Sequence, residues 1–418
     1  MDLRRFVAAL PFLLLPPAAR ADDAVLALWV QLGPNGVAEA RAVASGETCP
    51  VITVDGRQTR MQLRAAKDPD FDVTLCSASL PAHAGSASVS GLRLPMPVAE
   101  PRRILVIGDT GCRIKGFITQ ACNDPSKWPF PQIAAEAAAA KPDLVIHVGD
   151  YLYRETACPP GNSGCAGSPS GDNWESWAAD FFYPAAPLLA AAPWVVVRGN
   201  HEDCERAGPG WLRLLGPMPF DAEAACRAHL PPYSVPLGAM NLVVVDDSDA
   251  PDTSVDNNLL PEYRADFAAL SAIAPKPLWL VMHRPIWGAV QGPLDFAVGG
   301  NRTLIASLDP EQLSPVSLIL SGHIHWTEFL NYGDGLPPQI VAGEGGDNLD
   351  EAPADLSGLN LSGRHVESGL SVPGFGFLLL TKAGDGWTIE VHGKDGAVER
   401  TCAFAGGRID CAPARDAK

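Results

Sequence analysis

Beyond its first 21 residues the chain has no apolar run approaching the roughly 20 residues that a membrane-crossing helix requires, so the rest of the sequence offers no candidate span. It also has no C-x-x-C pair, and its cysteine spacings do not match zinc knuckles, which argues against a thiolate metal site. No G-x-S-x-G occurs, which leaves a serine hydrolase without its usual signature. Internal repeats are absent too. Positive charge is in short supply: 31 Lys and Arg stand against 48 Asp and Glu, for a net charge of −17. An acidic surface repels nucleic acid and anionic membranes. Neither is expected as a partner, and large polyanions are poor candidate substrates, although a bound pair of cations reverses the field locally.

The extreme N-terminus reads as a leader. Arg4 and Arg5 precede an apolar run over 6–15, then Pro16, Pro17 and the small-residue site Ala19-Arg20-Ala21. That is a positive n-region, a short h-region and an A-x-A cleavage site. A signal peptide over residues 1–21 implies a periplasmic or secreted protein, and its removal, with three Arg and one Asp, leaves a charge of −19. The ten cysteines fall as near neighbours: Cys49 and Cys76, Cys112 and Cys122, Cys158 and Cys165, Cys204 and Cys226, Cys402 and Cys411. An even count in an exported chain points to disulfides, with local pairing as the expectation, although spacing does not fix connectivity.

At 418 residues the chain is long enough for two domains and a large core. Residues 24–95 read as short strands between turns such as Gly33-Pro34-Asn35-Gly36 and Asp55-Gly56, without a helical stripe. A small N-terminal all-β sandwich over 22–98 is expected, followed by a proline-marked linker. From Arg103 the pattern turns to α/β, with buried strands expected at 104–107, 144–148, 194–197, 242–245, 278–281 and 318–320, and helices at 132–140, 174–192 and 262–273. Residues 154–173 read as a surface loop. Late strands follow at 339–341, 375–381 and 388–392, and the tail over 396–418 suggests a disulfide hairpin. Strands that alternate with helices and later run consecutively suggest a β-sandwich flanked by helices, spanning 99–395.

Five polar signatures terminate these apolar runs. They are Gly108-Asp109-Thr110-Gly111, Gly149-Asp150-Tyr151-Leu152-Tyr153, Gly199-Asn200-His201-Glu202, Val281-Met282-His283 and Gly322-His323-Ile324-His325. Buried strands that end in polar residues place them at the carboxyl edge of a sheet, where α/β folds bind ligands. Any single Asp or Asn there is as readily a turn or a helix cap. Five in one chain, each offering an oxygen or nitrogen ligand, point to two metal ions.

This ordered set resembles the purple acid phosphatases within the calcineurin-like metallophosphoesterases, over roughly residues 103–347, including the late Gly343-Glu344-Gly345-Gly346-Asp347. Gly111 fills a position where most of the superfamily has a histidine, while Tyr153, three residues after Asp150, is the replacement in the purple acid phosphatases. The resemblance implies a four-layer αββα fold. It implies that Asp109, Tyr153 and His325 bind a first metal, that Asn200, His283 and His323 bind a second, and that Asp150 bridges them. An ordinary tyrosine ionises near pH 10, and a trivalent ion lowers that far enough to give a phenolate. Iron(III) is therefore expected first, with Zn, Mn or Fe(II) second.

The function implied is an exported phosphatase acting on small phosphomonoesters, with a metal-bound hydroxide as the nucleophile. His201, surplus to the seven ligands, is the expected general acid, and with Asn200 it is the expected phosphate contact. Glu202 or Asp203 is the expected holder of its imidazole. Arg154, Arg198 and Arg284 each adjoin a signature and are further candidates to touch phosphate. His147 and Tyr151 are expected to be structural. A phosphodiesterase on the same scaffold, for nucleotides or lipid headgroups, is the alternative. A secreted binding protein with a degenerate site fits less well, because no ligand is missing. Oligomeric state is not legible.

Overall fold

Apolar residues in successive positions, buried on both faces, make the central strands. The computed structural model describes residues 24–273, 277–291, 296–333, 335–351 and 353–412; the leader expected over 1–21 lies outside them. Arg103–Ile107, Leu144–His147 and Trp194–Val196 form a parallel core, in register as Leu144 opposite Ile104 and Val145 opposite Trp194. A second sheet has Met240–Val244, Leu278–Val281, Val316–Ser321 and Gln339–Ala342 in parallel. Runs of Val, Ile and Leu without alternation suit such strands because neither face meets water.

The period-two geometry of a strand sorts these side chains into three layers of core. Ile104, Val106, Ile146 and Val148 meet Leu242, Val281, Leu320 and Ile340 between the two sheets. On the outer face of the first sheet, Leu105, Ile107 and Val145 pack with Ile133, Ala137 and Leu188 from helices Phe130–Ala139 and Ala186–Leu189. On the outer face of the second, Val243, Leu280 and Ile319 pack with Phe267, Leu270 and Leu304 from helices Leu260–Ile273 and Arg302–Ser307. Helix, sheet, sheet, helix is the expected four-layer order.

Several elements depart from the sequence reading. The N-terminal segment does enclose a core of its own, around Val30, Ile52, Met61, Leu80 and Val89. One of its layers, however, continues the first sheet: Val25–Leu32 lies parallel to Trp194–Val196 through Gln31 and Trp194, and the resulting sheet has 11 strands. The tail does likewise at the other edge. Val398–Ala405 and Arg408–Cys411 form the expected hairpin, but they extend that same sheet beyond Gly386–Gly393. Residues 174–192 are not one helix. Trp174–Trp177 passes into a π turn at Ala178–Phe182, and a separate turn of helix follows at Ala186–Leu189. Pro184 and Pro187 lack the amide hydrogens that a continuous helix needs. Strands Thr327–Tyr332 and Arg364–Val372 were not anticipated.

All five local disulfides are present, Cys49–Cys76, Cys112–Cys122, Cys158–Cys165, Cys204–Cys226 and Cys402–Cys411, with no free cysteine among the described residues. Among those residues no helix is long and apolar enough to cross a membrane.

Trp279 joins the two sheets, with its ring centroid 5.3 Å from that of Trp387 in a T-shaped contact. Trp279→Ala should therefore cost about 3–5 kcal/mol, as large-to-small changes in a tight core do. Denaturant unfolding monitored by circular dichroism checks this; a loss below about 1 kcal/mol would mean that the layers are not packed through this residue.

Candidate metal centre

Three of the signature residues leave their strands in the left-handed region: Asp109 with φ 55°, Asp150 with φ 59° and His323 with φ 72°. Asp and His tolerate that conformation better than most non-glycine residues. The turn swings each side chain back across the carboxyl edge of its sheet. Small residues let the loops close on one another. A Cβ on Gly199 would lie 2.1 Å from Asp150 Oδ1, so only glycine admits the carboxylate. A Cβ on Gly111 would lie 2.7 Å from both Tyr153 Cδ2 and Tyr151 O, and 2.8 Å from Asp180 Oδ2. The tyrosine ring thus fills the space beside Gly111 that a side chain there would need.

The seven expected ligands converge in two overlapping groups. Tyr153 Oη lies 2.9 Å from Asp109 Oδ1, 2.8 Å from Asp150 Oδ2 and 3.3 Å from His325 Nε2. On the other side, His283 Nε2 lies 3.0 Å from Asn200 Oδ1 and 3.2 Å from the same Asp150 Oδ2. His323 joins them: ligand-capable atoms of Asp150, His283 and His323 all fall within 4.8 Å of one another. One oxygen of Asp150 is common to both groups. The imidazole orientations are fixed from behind, His283 by Val148 O at 2.7 Å from Nδ1 and His325 by Asn348 O at 2.8 Å from Nδ1.

His201 stands beside this cluster, its ring 3.9 Å from that of Tyr153 and its Nε2 4.0 Å from Asp150 Oδ2. Its orienting partner is neither of the two acids expected. Glu155 Oε1 lies 2.7 Å from His201 Nδ1. Glu202 instead turns inward and accepts the backbone N–H groups of Asp150, Tyr151, Leu152 and Gly199, at 2.8–3.1 Å. Asp203 faces Arg206. Of the three arginines, Arg154 is bound to Asp180 at 2.7 Å and Arg198 to Glu202 O at 2.6 Å, both buried and structural. Arg284 reaches the edge of the cluster, 3.2 Å from His323 Nε2. His147 is a core residue, bonded to Thr110 Oγ1 and stacked on Tyr151, whose own hydroxyl donates to Val197 O.

Four residues of the site were not read from the sequence as such: Glu155, Arg113, Asp252 and, beyond its place in the closing segment, Asp347. Arg113 pairs with Asp347 through both carboxylate oxygens and lies over the Tyr153 ring, 4.8 Å from its centroid. Asp252 meets His323 and Arg284. Glu155, Arg113 and Asp252 do not follow a glycine at a strand end, so no positional signal marks them, while Asp347 closes the glycine-rich segment after Gln339–Ala342.

The electrostatics suit cations. Burial, reinforced by Asp109 and Asp150, raises the Tyr153 phenol well above its usual range. One phenolic hydrogen cannot satisfy two carboxylate oxygens at once. Burial disfavours a charged His325, yet Asp347, Asp109 and Asp350 outweigh it and lift the imidazole to about 10. Asp150 does the same for His283, to about 9. The pocket draws protons onto groups that are metal ligands in their neutral form, which marks an excess of negative charge that bound cations would balance. Oxygen donors with imidazoles fit such ions.

Sequence comparison bears on this directly. The calcineurin-like phosphoesterase family profile matches residues 102–327, and the chain belongs to that family. It is a phosphoric ester hydrolase, and its fold implies a binuclear metal centre. Among solved structures it is similar to the purple acid phosphatase PPD1 from yellow lupin (Lupinus luteus) seeds, with TM-score 0.59 and 14% identity over 91% of this chain and 74% of that one. It is also similar to PhoD, with TM-score 0.54 and 10% identity over 95% of this chain and 94% of that one. Comparison with curated proteins gave no match.

Gly111→Ala should displace both Tyr153 and Asp180, because the added methyl has no free volume. We expect a loss of about 1–3 kcal/mol in stability, the usual cost of overpacking, and at least a tenfold fall in phosphoesterase activity. Thermal unfolding and turnover of the same preparation test it; wild-type values for both would show that the tyrosine does not depend on this glycine.

Proposed function

We propose that the protein is an exported binuclear phosphatase acting on phosphomonoesters. In this reading Asp109, Tyr153 and His325 hold one cation, Asn200, His283 and His323 hold the other, and Asp150 lies between them. The observation that carries it is the shared oxygen: Asp150 Oδ2 is 2.8 Å from Tyr153 Oη and 3.2 Å from His283 Nε2. The buried, acid-flanked Tyr153 supports iron(III) at the first position, since only a strongly charged ion ionises such a phenol at neutral pH. Asn200, His283 and His323 suit Zn, Mn or Fe(II). Five disulfides support export.

When bound, two cations polarise the phosphoryl oxygens and lower the pKa of a water. The protein's own part is to position and to move a proton. In this reading Asn200 contacts the phosphate from the second group and His201 from beside Tyr153 and the shared Asp150. Glu155 Oε1 pairs with His201 Nδ1 at 2.7 Å, which would leave Nε2 to face the leaving oxygen as the proton donor. Burial would raise Glu155, but its bond to His201, with help from Lys115 and Arg206, holds it ionised at about 2, so it remains an acceptor across the working range.

Two metals per chain, one of them iron, are expected in the isolated protein, together with visible absorption that Tyr153→Phe abolishes. Elemental analysis and an absorption spectrum check this. Two zinc ions in a colourless, active enzyme would reject iron while leaving the binuclear reading in place. A panel of monoesters and diesters decides the substrate class, and exclusive turnover of diesters would overturn the monoester assignment.

His201→Ala should lower turnover by about 10²–10⁴-fold with both metals retained, and less on an aryl phosphate than on an alkyl one, because a phenol leaves without protonation. Glu155→Ala should produce the same leaving-group pattern at a smaller amplitude. Loss of metal in His201→Ala would make it a ligand. Equal slowing of both esters would make it a phosphate-binding group instead of an acid.

A further inference from the structure

We propose that Asp252 is a positioning residue for the second cation: it fixes the ring and tautomer of His323 and cancels the charge of Arg284 beside it. The inference rests on the metal assignment above.

Asp252 Oδ2 lies 2.9 Å from His323 Nε2. The same oxygen is bonded by Arg284 Nη1, which itself lies 3.2 Å from His323 Nε2. A carboxylate accepts hydrogen bonds and does not donate them. Nε2 meets two partners of opposite kind, the carboxylate at 2.9 Å, which only accepts, and the guanidinium at 3.2 Å, which only donates. The carboxylate is nearer and already takes Arg284 Nη1 onto the same oxygen, so the geometry favours Nε2 carrying the hydrogen and donating to Asp252. The lone pair of His323 is then on Nδ1, leaving that nitrogen as the one able to ligate. The ring is therefore pinned at its far nitrogen, a second layer of bonding of the kind that orients ligating histidines.

Asp252 is itself anchored. Its Oδ1 accepts from Asn301 Nδ2 at 2.9 Å, and the same amide nitrogen donates to Ala250 O at 2.7 Å. Asn301 is 1% exposed, and its carbonyl caps the helix Arg302–Ser307 by accepting from Leu304 N at 2.8 Å. The backbone of Asp252 is held as well, with Arg302 N donating to its carbonyl at 3.1 Å. A capped helix thus fixes the carboxylate, which fixes the imidazole. Charge supplies the second role. An uncompensated guanidinium against a ligating imidazole would repel a cation on the other side of that ring, and Asp252 removes the repulsion by pairing with it.

The test uses the whole protein and reads metal, not turnover. Wild type, Asp252→Ala and Asp252→Asn are stripped with chelator and titrated with zinc, with stoichiometry and affinity read by calorimetry and elemental analysis. Asp252→Ala should bind one cation as wild type does and the other about 10–100-fold more weakly, with unchanged thermal unfolding of the metal-free chain. Asp252→Asn keeps an accepting oxygen but not the charge, so it should fall between the two. Adding Arg284→Gln to Asp252→Ala should recover part of the lost affinity. Wild-type affinity for both cations in Asp252→Ala overturns the inference. Equal weakening of both, or a destabilised metal-free chain, also overturns it by making the residue merely structural. A wild-type chain that holds fewer than two cations fails earlier, at the metal assignment itself.

Discussion

The structure is organised around negative charge held out of water. Asp109, Asp150 and Asp347 are at most 1% exposed, and the Tyr153 phenol lies between the first two. Two unit charges about 4 Å apart at an effective dielectric near 20 interact by about 4 kcal/mol, so a cluster of this kind is untenable unless positive charge is nearby. Arg113 serves Asp347. The remaining carboxylates are faced by the side chains of His283 and His325, both driven towards protonation. The fold therefore spends stability to keep a site that cations complete, and the surrounding bonds hold that repulsive arrangement in place.

Those bonds are mostly to loops. Each signature follows a rigid strand, but the chemistry sits on the turns, where little backbone is paired within sheets. Glu202 gathers four backbone N–H groups from the second and third signatures onto one carboxylate. Asp180 takes Tyr153 N at 2.8 Å and Cys112 N at 2.9 Å, which ties the first signature to the second. Three disulfides then close the segments that leave the site: Cys112–Cys122 after the first signature, Cys158–Cys165 after the second, Cys204–Cys226 after the third. Closing loops of this length is worth roughly 3 kcal/mol each in the chain-entropy view. Long irregular segments can then border a site that demands exact placement.

Residues on strands and at strand ends were legible in the sequence because two local rules coincide there. Apolar runs mark the buried strands, and a glycine followed by Asp, Asn or His marks where the chain leaves them. Those rules reach Asp109, Asp150, Asn200 and His323, with His283 marked by its strand end alone, whereas Tyr153, His325 and the four-layer order were implied by the resemblance to the purple acid phosphatases. Residues that act from loops were not legible. Glu155 sits in an irregular stretch and reaches His201 only because the second and third loops fold together; sequence proximity favoured Glu202, whose carboxylate burial sends elsewhere. Asp252 becomes a neighbour of His323 only across 71 positions of chain. Edge pairing was equally invisible, because nothing in residues 25–32 or 398–411 specifies that both continue a sheet begun at Arg103. The break in 174–192 was visible in Pro184 and Pro187, which a single helix over those residues does not accommodate.

On the proposed assignment the two halves of the site differ in exposure, and that difference bears on how it works. Around the first cation the Asp109 side chain is fully buried, that of His325 is 10% exposed, and Tyr153 is fully enclosed. Around the second, His283 is fully buried and Asn200 is 7% exposed, so the difference lies at His323, 23% exposed, and its partner Asp252, 38% exposed. A tightly enclosed, phenol-bearing position favours an ion that stays, whereas a position whose outer wall is a solvent-facing Asp–Arg–His group favours one that exchanges. His201, at 6% exposure, stands at the boundary between the two halves, in contact with the Tyr153 ring and held by a Glu155 that is partly solvated. In the proposed mechanism the proton donor thus stands between the exposed edge at His323 and the enclosed group at Tyr153, and the buried half is left to hold charge.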